Sequence, residues 1–161
     1  TAFGNDFALA ENLPIEITAN KMEWDKSKDQ AIAEGNATAS QGEKKITAKK
    51  IIASLDNTSK KQIKSLHALG EVRFTNSSEK ATGKEAFYDL VAETITIEGE
   101  VTLKRNDNIM LGDKLVINFK TGLTELSGSQ KKVRMKYNSS GKEWKKERIN
   151  LPSYILQKVW L

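Results

Sequence analysis

Cysteine is absent from the 161-residue sequence, and histidine occurs once. The first absence excludes disulfides, zinc–thiolate sites, iron–sulfur clusters and thiol nucleophiles, and it leaves the compartment open. The lone His67 excludes multi-histidine metal sites, so no metal and no cofactor is expected. Two prolines and ten glycines exclude collagen-like and proline-rich classes. No apolar run approaches ~18 residues, so no membrane-crossing helix is expected. The first residue is Thr1 rather than Met, which fits a processed mature protein or a trimmed piece of one.

What is present is a polar but foldable chain. Hydrophobic residues make up 38% and charged ones 29%, with Ile, Val, Leu and Phe spread throughout, as one domain with a core requires. The net charge of +5 is unevenly placed. Residues 42–64 hold seven lysines against Glu43 and Asp56, and residues 129–148 hold eight Lys or Arg against Glu143 and Glu147. The remainder is net acidic. Such patches serve as solvated strand faces or attract nucleic acid, anionic lipid or phosphorylated glycolipid.

Two interleaved repeats organise the chain. Gly35, Gly70, Gly99 and Gly128 recur in similar settings, at separations of 35, 29 and 29 residues. Between them run Thr18-Ala19-Asn20-Lys21, Thr47-Ala48-Lys49-Lys50, Thr82-Gly83-Lys84-Glu85 and Leu111-Gly112-Asp113-Lys114, at separations of 29, 35 and 29. Both series share one period, and both carry one six-residue excess, which falls in the polar stretch Asp56–Lys64. Stacked supersecondary units produce such a pattern.

Each unit reads as strands. Ile95–Lys104 alternates apolar and polar residues with Gly99 in phase; Leu66–Thr75 and Leu115–Lys120 do so with lapses at Leu69 and Val116. Polar turn material separates the runs at Asp25–Asp29, Asn76–Glu79, Arg105–Asn108 and Lys120–Gly122. The in-phase glycines mark bends or bulges where a strand turns a corner. An all-β, antiparallel stack of many short strands is expected, with no helix before residue 137.

The alternation predicts an inward set: Met22, Trp24, Ala37, Ala39, Ile51, Ala53, Leu55, Leu66, Ala68, Val72, Phe74, Ala86, Tyr88, Leu90, Ile95, Ile97, Val101, Leu103, Leu115, Ile117, Phe119, Val133 and Met135. This set is either an ordinary sandwich core or the lining of a trough for an apolar ligand, and its alanines point to spare room. His67 falls on the outward phase, as a surface histidine does. Asp89 and Asp113 lack a partner for acid–base work, and Asp107-Asn108 lacks the oxygen spacing of a calcium loop. No enzyme is expected. Nucleic-acid binding and carbohydrate binding both want aromatics on the wet face, whereas these lie mostly on the dry phase.

The opening Pro14–Asp25, the Gly35, Gly70 and Gly99 strands, Ile46-Thr47-Ala48-Lys49-Lys50 and Gly112-Asp113-Lys114-Leu115 together resemble the LptA, or OstA-like, lipopolysaccharide-transport family. The resemblance covers about residues 13–136, taken as the domain; residues 137–161 form a C-terminal extension read as helix, strand or disordered. The resemblance implies an open, V-shaped β-jellyroll in the periplasm of Gram-negative bacteria, without catalytic residues. It implies lipopolysaccharide as ligand, with acyl chains along the inward set. Lys44, Lys45, Lys131, Lys132 and Arg134 would then face its phosphorylated head group. It also implies LptC-like and LptD-like jellyroll partners, and possible self-association, by end-to-end strand pairing near Ile15–Ala19 and Val133–Tyr137. The rival within this resemblance is the periplasmic part of an LptC-like inner-membrane component.

Overall fold

A computed structural model of the chain describes residues 13–58, 62–129 and 131–137. These form ten strands and no helix: β1 (Glu16–Thr18), β2 (Lys21–Asp25), β3 (Gln30–Gln41), β4 (Lys44–Leu55), β5 (Ile63–Thr75), β6 (Glu79–Asp89), β7 (Thr94–Arg105), β8 (Asn108–Asn118), β9 (Thr124–Ser127) and β10 (Arg134–Lys136). All pairings are antiparallel, in the order β1-β3-β4-β5-β6-β7-β8-β10; β2 also pairs with β3, and β9 with β8. The first and last strands never meet, so the sheet is an open, twisted jellyroll rather than a barrel. The connection between β4 and β5 spans residues 56–62, where the six-residue excess was expected.

Each long strand bends at mid-length, and the bend explains both repeats. Ladder pairing breaks at Gly35-Asn36, Gly70-Glu71 and Gly99-Glu100. There the glycines have φ of 80°, 84° and 89°, and the residues after them 47°, 48° and 47°. Two successive left-handed residues turn the strand through a corner; glycine supplies the first at no Cβ cost. Over each glycine lies a residue of the second series: Asn20 over Gly35, Lys49 over Gly70 and Lys84 over Gly99. The fourth member differs. Gly128 has no left-handed φ and lies in the gap between β9 and β10, where Asp113 Oδ2 accepts from the Ser129 N–H at 2.7 Å.

The corners divide the sheet into two layers. One holds β1, β10 and the halves of β3–β8 that pair with them; the other holds β2, β9 and the remaining halves. The layers pack inner face to inner face. Phe74 of the first lies 5.9 Å from Phe119 of the second, centroid to centroid. Asx turns close the tips of the second layer: the carboxylates of Asp25 and Asp89 and the side-chain carbonyl of Asn118 each accept backbone N–H bonds from the residues that follow.

The corner geometry predicts unequal costs for two glycine substitutions. Gly99→Ala forces a Cβ into left-handed backbone and within 2.8 Å of the Lys84 Cβ. Gly122→Ala meets only the backbone cost, with nothing within 4 Å. Denaturant unfolding should show Gly99→Ala losing about 2–3 kcal/mol and Gly122→Ala about 1 kcal/mol. Equal losses would show that packing over the corner contributes nothing.

Candidate functional site

The inner faces form one apolar surface. Ala37, Ala39, Ile46, Val72, Phe74, Ala81, Val101 and Leu103 from the first layer bury against Ala33, Ile51, Leu66, Ala68, Ala86, Tyr88, Ile95, Ile97 and Leu115 from the second. The alanines were expected to leave room. Ala37, Ala53, Ala68 and Ala86 are sealed from solvent between the layers, whereas Ala39 lines a pocket at their margin. Leu90 and Phe119 pack against this core while partly exposed, and Leu55 is buried outside it.

One corner of this surface carries polar chemistry. A shallow pocket, open to solvent and with enclosed room for about one water molecule, is lined by Ile15, Ala39, Ser40, Gln41, Lys44, Ile46, Leu66 and Tyr88, so both layers contribute. Lys44 Nζ lies 4.0 Å from the Phe119 ring centroid and 5.8 Å from that of Tyr88. It donates to Tyr88 Oη at 3.4 Å, and that hydroxyl donates to Gln41 Oε1 at 3.4 Å. Burial lowers the Lys44 pKa below its ordinary value, against a smaller opposing attraction from Glu93. Burial first, and Glu93 second, raises the Tyr88 pKa.

Several expected site residues stand elsewhere than the alternation placed them. Met22 and Trp24 pair with Ala33 and Ala31, so they share the inner face. They are not buried members of it: Trp24 is 57% exposed, because β2 is an edge strand with a neighbour on one side. Met135 pairs with Met110 on edge strand β10 and is 58% exposed; Val133 precedes that strand and is exposed too. Lys44 and Lys45 were expected together outside the trough. Adjacent strand residues point to opposite faces, so Lys44 turns inward with Ile46 while Lys45 is exposed. Lys131, Lys132 and Arg134 are exposed beside β8 at the other edge, four strands from β4, so the basic residues do not form one patch.

The inner face also includes Ile46, Ala48, Ala81 and Met110, which unbroken alternation misses. In β4 the inward positions run Ile46, Ala48 and then Ile51, Ala53, so the phase switches at the corner. The corner glycines themselves are the signal for that switch. His67 points outward as expected and meets Glu85 Oε1 at 2.5 Å. Among the described residues no cluster of three or more His, Cys, Asp or Glu could hold a metal ion. Among the described residues no helix is long and apolar enough to cross a membrane.

The model of the family described as LptA/(LptD N-terminal domain) LPS transport protein matches residues 16–123, from β1 past the end of β8. The chain belongs to this family. Membership assigns this LptA-family chain to lipopolysaccharide transport, and its family and fold are those of a transport protein rather than an enzyme. It is similar to an uncharacterized protein of Rhizobium meliloti (strain 1021), 22% identical over 142 residues that cover 84% of this chain and 76% of the other. Its fold is that of LptH from Pseudomonas aeruginosa, described as the LptA homologous periplasmic component of the conserved lipopolysaccharide transport device. That likeness has a TM-score of 0.72 at 15% identity and covers 80% of this chain and 98% of LptH.

The desolvated lysine makes a pH prediction. Because folding lowers the Lys44 pKa, the charged form is penalised in the folded state, and the penalty disappears as pH rises through the window between the lowered pKa and 10.5. The stability of the wild type relative to Lys44→Met should therefore increase with pH across that window. A flat difference in denaturant midpoints from pH 7 to 10.5 would show that the ammonium is fully hydrated.

Proposed function

We propose that this chain is a periplasmic bridge protein that binds lipopolysaccharide and passes it from the inner towards the outer membrane. The acyl chains would lie along the inner face, between the layers. The observation that carries this reading is the continuity of that face: a buried apolar surface that runs out to exposed apolar side chains at both edges, Met22 and Trp24 on β2 and Met135 on β10. A closed sandwich has no use for such residues at its margins, because exposed apolar patches invite association. A lipid carrier does: each methylene kept out of water is worth about 0.8 kcal/mol, so an unbroken apolar path lets a lipid advance without a large barrier.

The edges support the bridge part of the proposal. β1 and β2 line one end of the sheet, and β9 and β10 the other. Each presents unpaired backbone donors and acceptors, onto which a strand of a neighbouring jellyroll can add. The partners proposed are LptC-like and LptD-like jellyroll domains and further copies of this chain. Stacking end to end would join one apolar face to the next. Basic residues near the β10 edge, Lys131, Lys132 and Arg134, would lie beside the lipid's phosphorylated head group outside the layers, with Lys45 doing so near the other edge. The domain proposed to do this is residues 13–136; of the extension assigned to residues 137–161, all but Tyr137 lies outside the described residues.

Site-specific photo-crosslinking tests the acyl path. A crosslinking amino acid at Trp24, Met110 or Phe119 should capture lipopolysaccharide, and one at the outward-facing, exposed Phe87 should not. Capture at Phe87 as efficient as at the inner-face positions would overturn the path. In sedimentation, the protein should grow in mass with concentration; a strict monomer at the highest attainable concentration would count against stacking of copies.

A further inference from the structure

Lys44 occupies a position that strand alternation reserves for apolar residues. It shares its phase with Ile46 and Ala48, both buried. A charge at the margin of a core is costly unless a countercharge meets it. Lys21, Lys49, Lys50 and Lys114 each lie within 4 Å of a glutamate. Lys44 forms no such pair among the described residues, and Glu93 acts on it only through longer-range attraction. Its neighbours are instead two aromatic rings and a phenol.

The polar atoms around it are under-used as well. An ammonium has three donors, and Lys44 makes one bond, at 3.4 Å, to a hydroxyl whose own bond to Gln41 is equally long. Both exceed the usual 2.7–3.0 Å for such bonds. By contrast, Gln41 Nε2 donates to the Leu13 carbonyl at 2.9 Å, so the segment itself is well anchored. The arrangement is a cation, a phenol and an amide converging on one solvent-open pocket, beside the two rings where the layers meet.

We propose that this corner is a receptor for an acyl-chain amphiphile bearing a phosphomonoester, in which Lys44 binds the phosphate and the Phe119–Tyr88 pair receives the first methylenes. The proposal rests on the reading of the inner face as a lipid path and adds where along it the anion is held. A phosphate oxygen offers Lys44 a charge-assisted bond stronger than the contact over Phe119 that it would leave. The same movement uncovers the rings, so the headgroup would open the place that the chain then fills. A carrier with this device favours lipids carrying an anion next to their chains over neutral ones of the same length.

Calorimetric titration below the micelle concentration tests this with three probes: dodecyl phosphate, dodecyl maltoside and inorganic phosphate. The wild type should bind dodecyl phosphate about tenfold more tightly than the maltoside, the scale of one charge-assisted bond. Lys44→Met should bring the two within about twofold while still binding the maltoside, which also reports a folded inner face. Lys44→Arg should retain the preference. Equal binding of both amphiphiles by the wild type, or a preference that survives Lys44→Met, would overturn the Lys44 assignment and leave the lipid path standing. Binding of neither amphiphile would overturn the lipid path and this proposal with it. Inorganic phosphate binding as tightly as dodecyl phosphate would reduce the corner to a simple anion site and overturn its role with lipids.

Discussion

Two successive left-handed residues at mid-strand turn each odd-numbered long strand from one layer into the other, at Gly35-Asn36, Gly70-Glu71 and Gly99-Glu100. Without that corner the inner face would be one side of a single flat sheet, exposed to water along its length. The corner allows one sheet to cover itself. Only the first residue of each pair is glycine; asparagine tolerates the conformation, and the two glutamates hold it at a cost of about 1–2 kcal/mol each. Packing on both sides of the corner offsets that cost. The Asn20, Lys49 and Lys84 side chains fill the space over the glycines, and the two layers bury Val72, Val101 and Leu103 within a few residues of them.

Covering itself in this way leaves the sheet with two ends. A barrel of the same strands would pair its edges and remove the exposed backbone groups. Here the edge strands are short and broken, β1 with β2 and β9 with β10, and the face between the layers is open at both margins. Trp24 and Met135 stand at those margins, apolar and half uncovered. On the proposed lipid path these features share one purpose: an apolar face that must be entered and left cannot be sealed.

The interior alanines Ala37, Ala53, Ala68 and Ala86 are closed off from solvent between the layers. On the proposed lipid path, the place where the layers meet through a cation over aromatic rings parts more easily than the aliphatic centre. Dispersion between close-packed side chains accumulates over many atoms, whereas Lys44 contributes one long hydrogen bond and one ring contact.

The repeat, the strand class and the outward face of His67 were all legible in the amino-acid sequence. They depend on local periodicity, and period-two alternation survives in every strand segment between corners. Most of the inward set was legible for the same reason in β5 and β7, where the two-residue corner preserves the phase from Ala68 to Val72 and from Ile97 to Val101. In β4, β6 and β8 it was legible only in the second-layer halves, at Ile51, Ala53, Ala86, Tyr88, Leu115 and Ile117. Their inward positions shift phase opposite the corner, so Ile46, Ala81 and Met110 lie where simple alternation places polar residues. Edge exposure at Met22 and Met135 had no local signal at all, and the inward turn of Lys44 away from Lys45 had only its shared phase with Ile46 and Ala48. Sequence determines which side chains share a face; which face is covered, and where the covering stops, depends on strands distant in the chain, and that the tertiary structure alone decided.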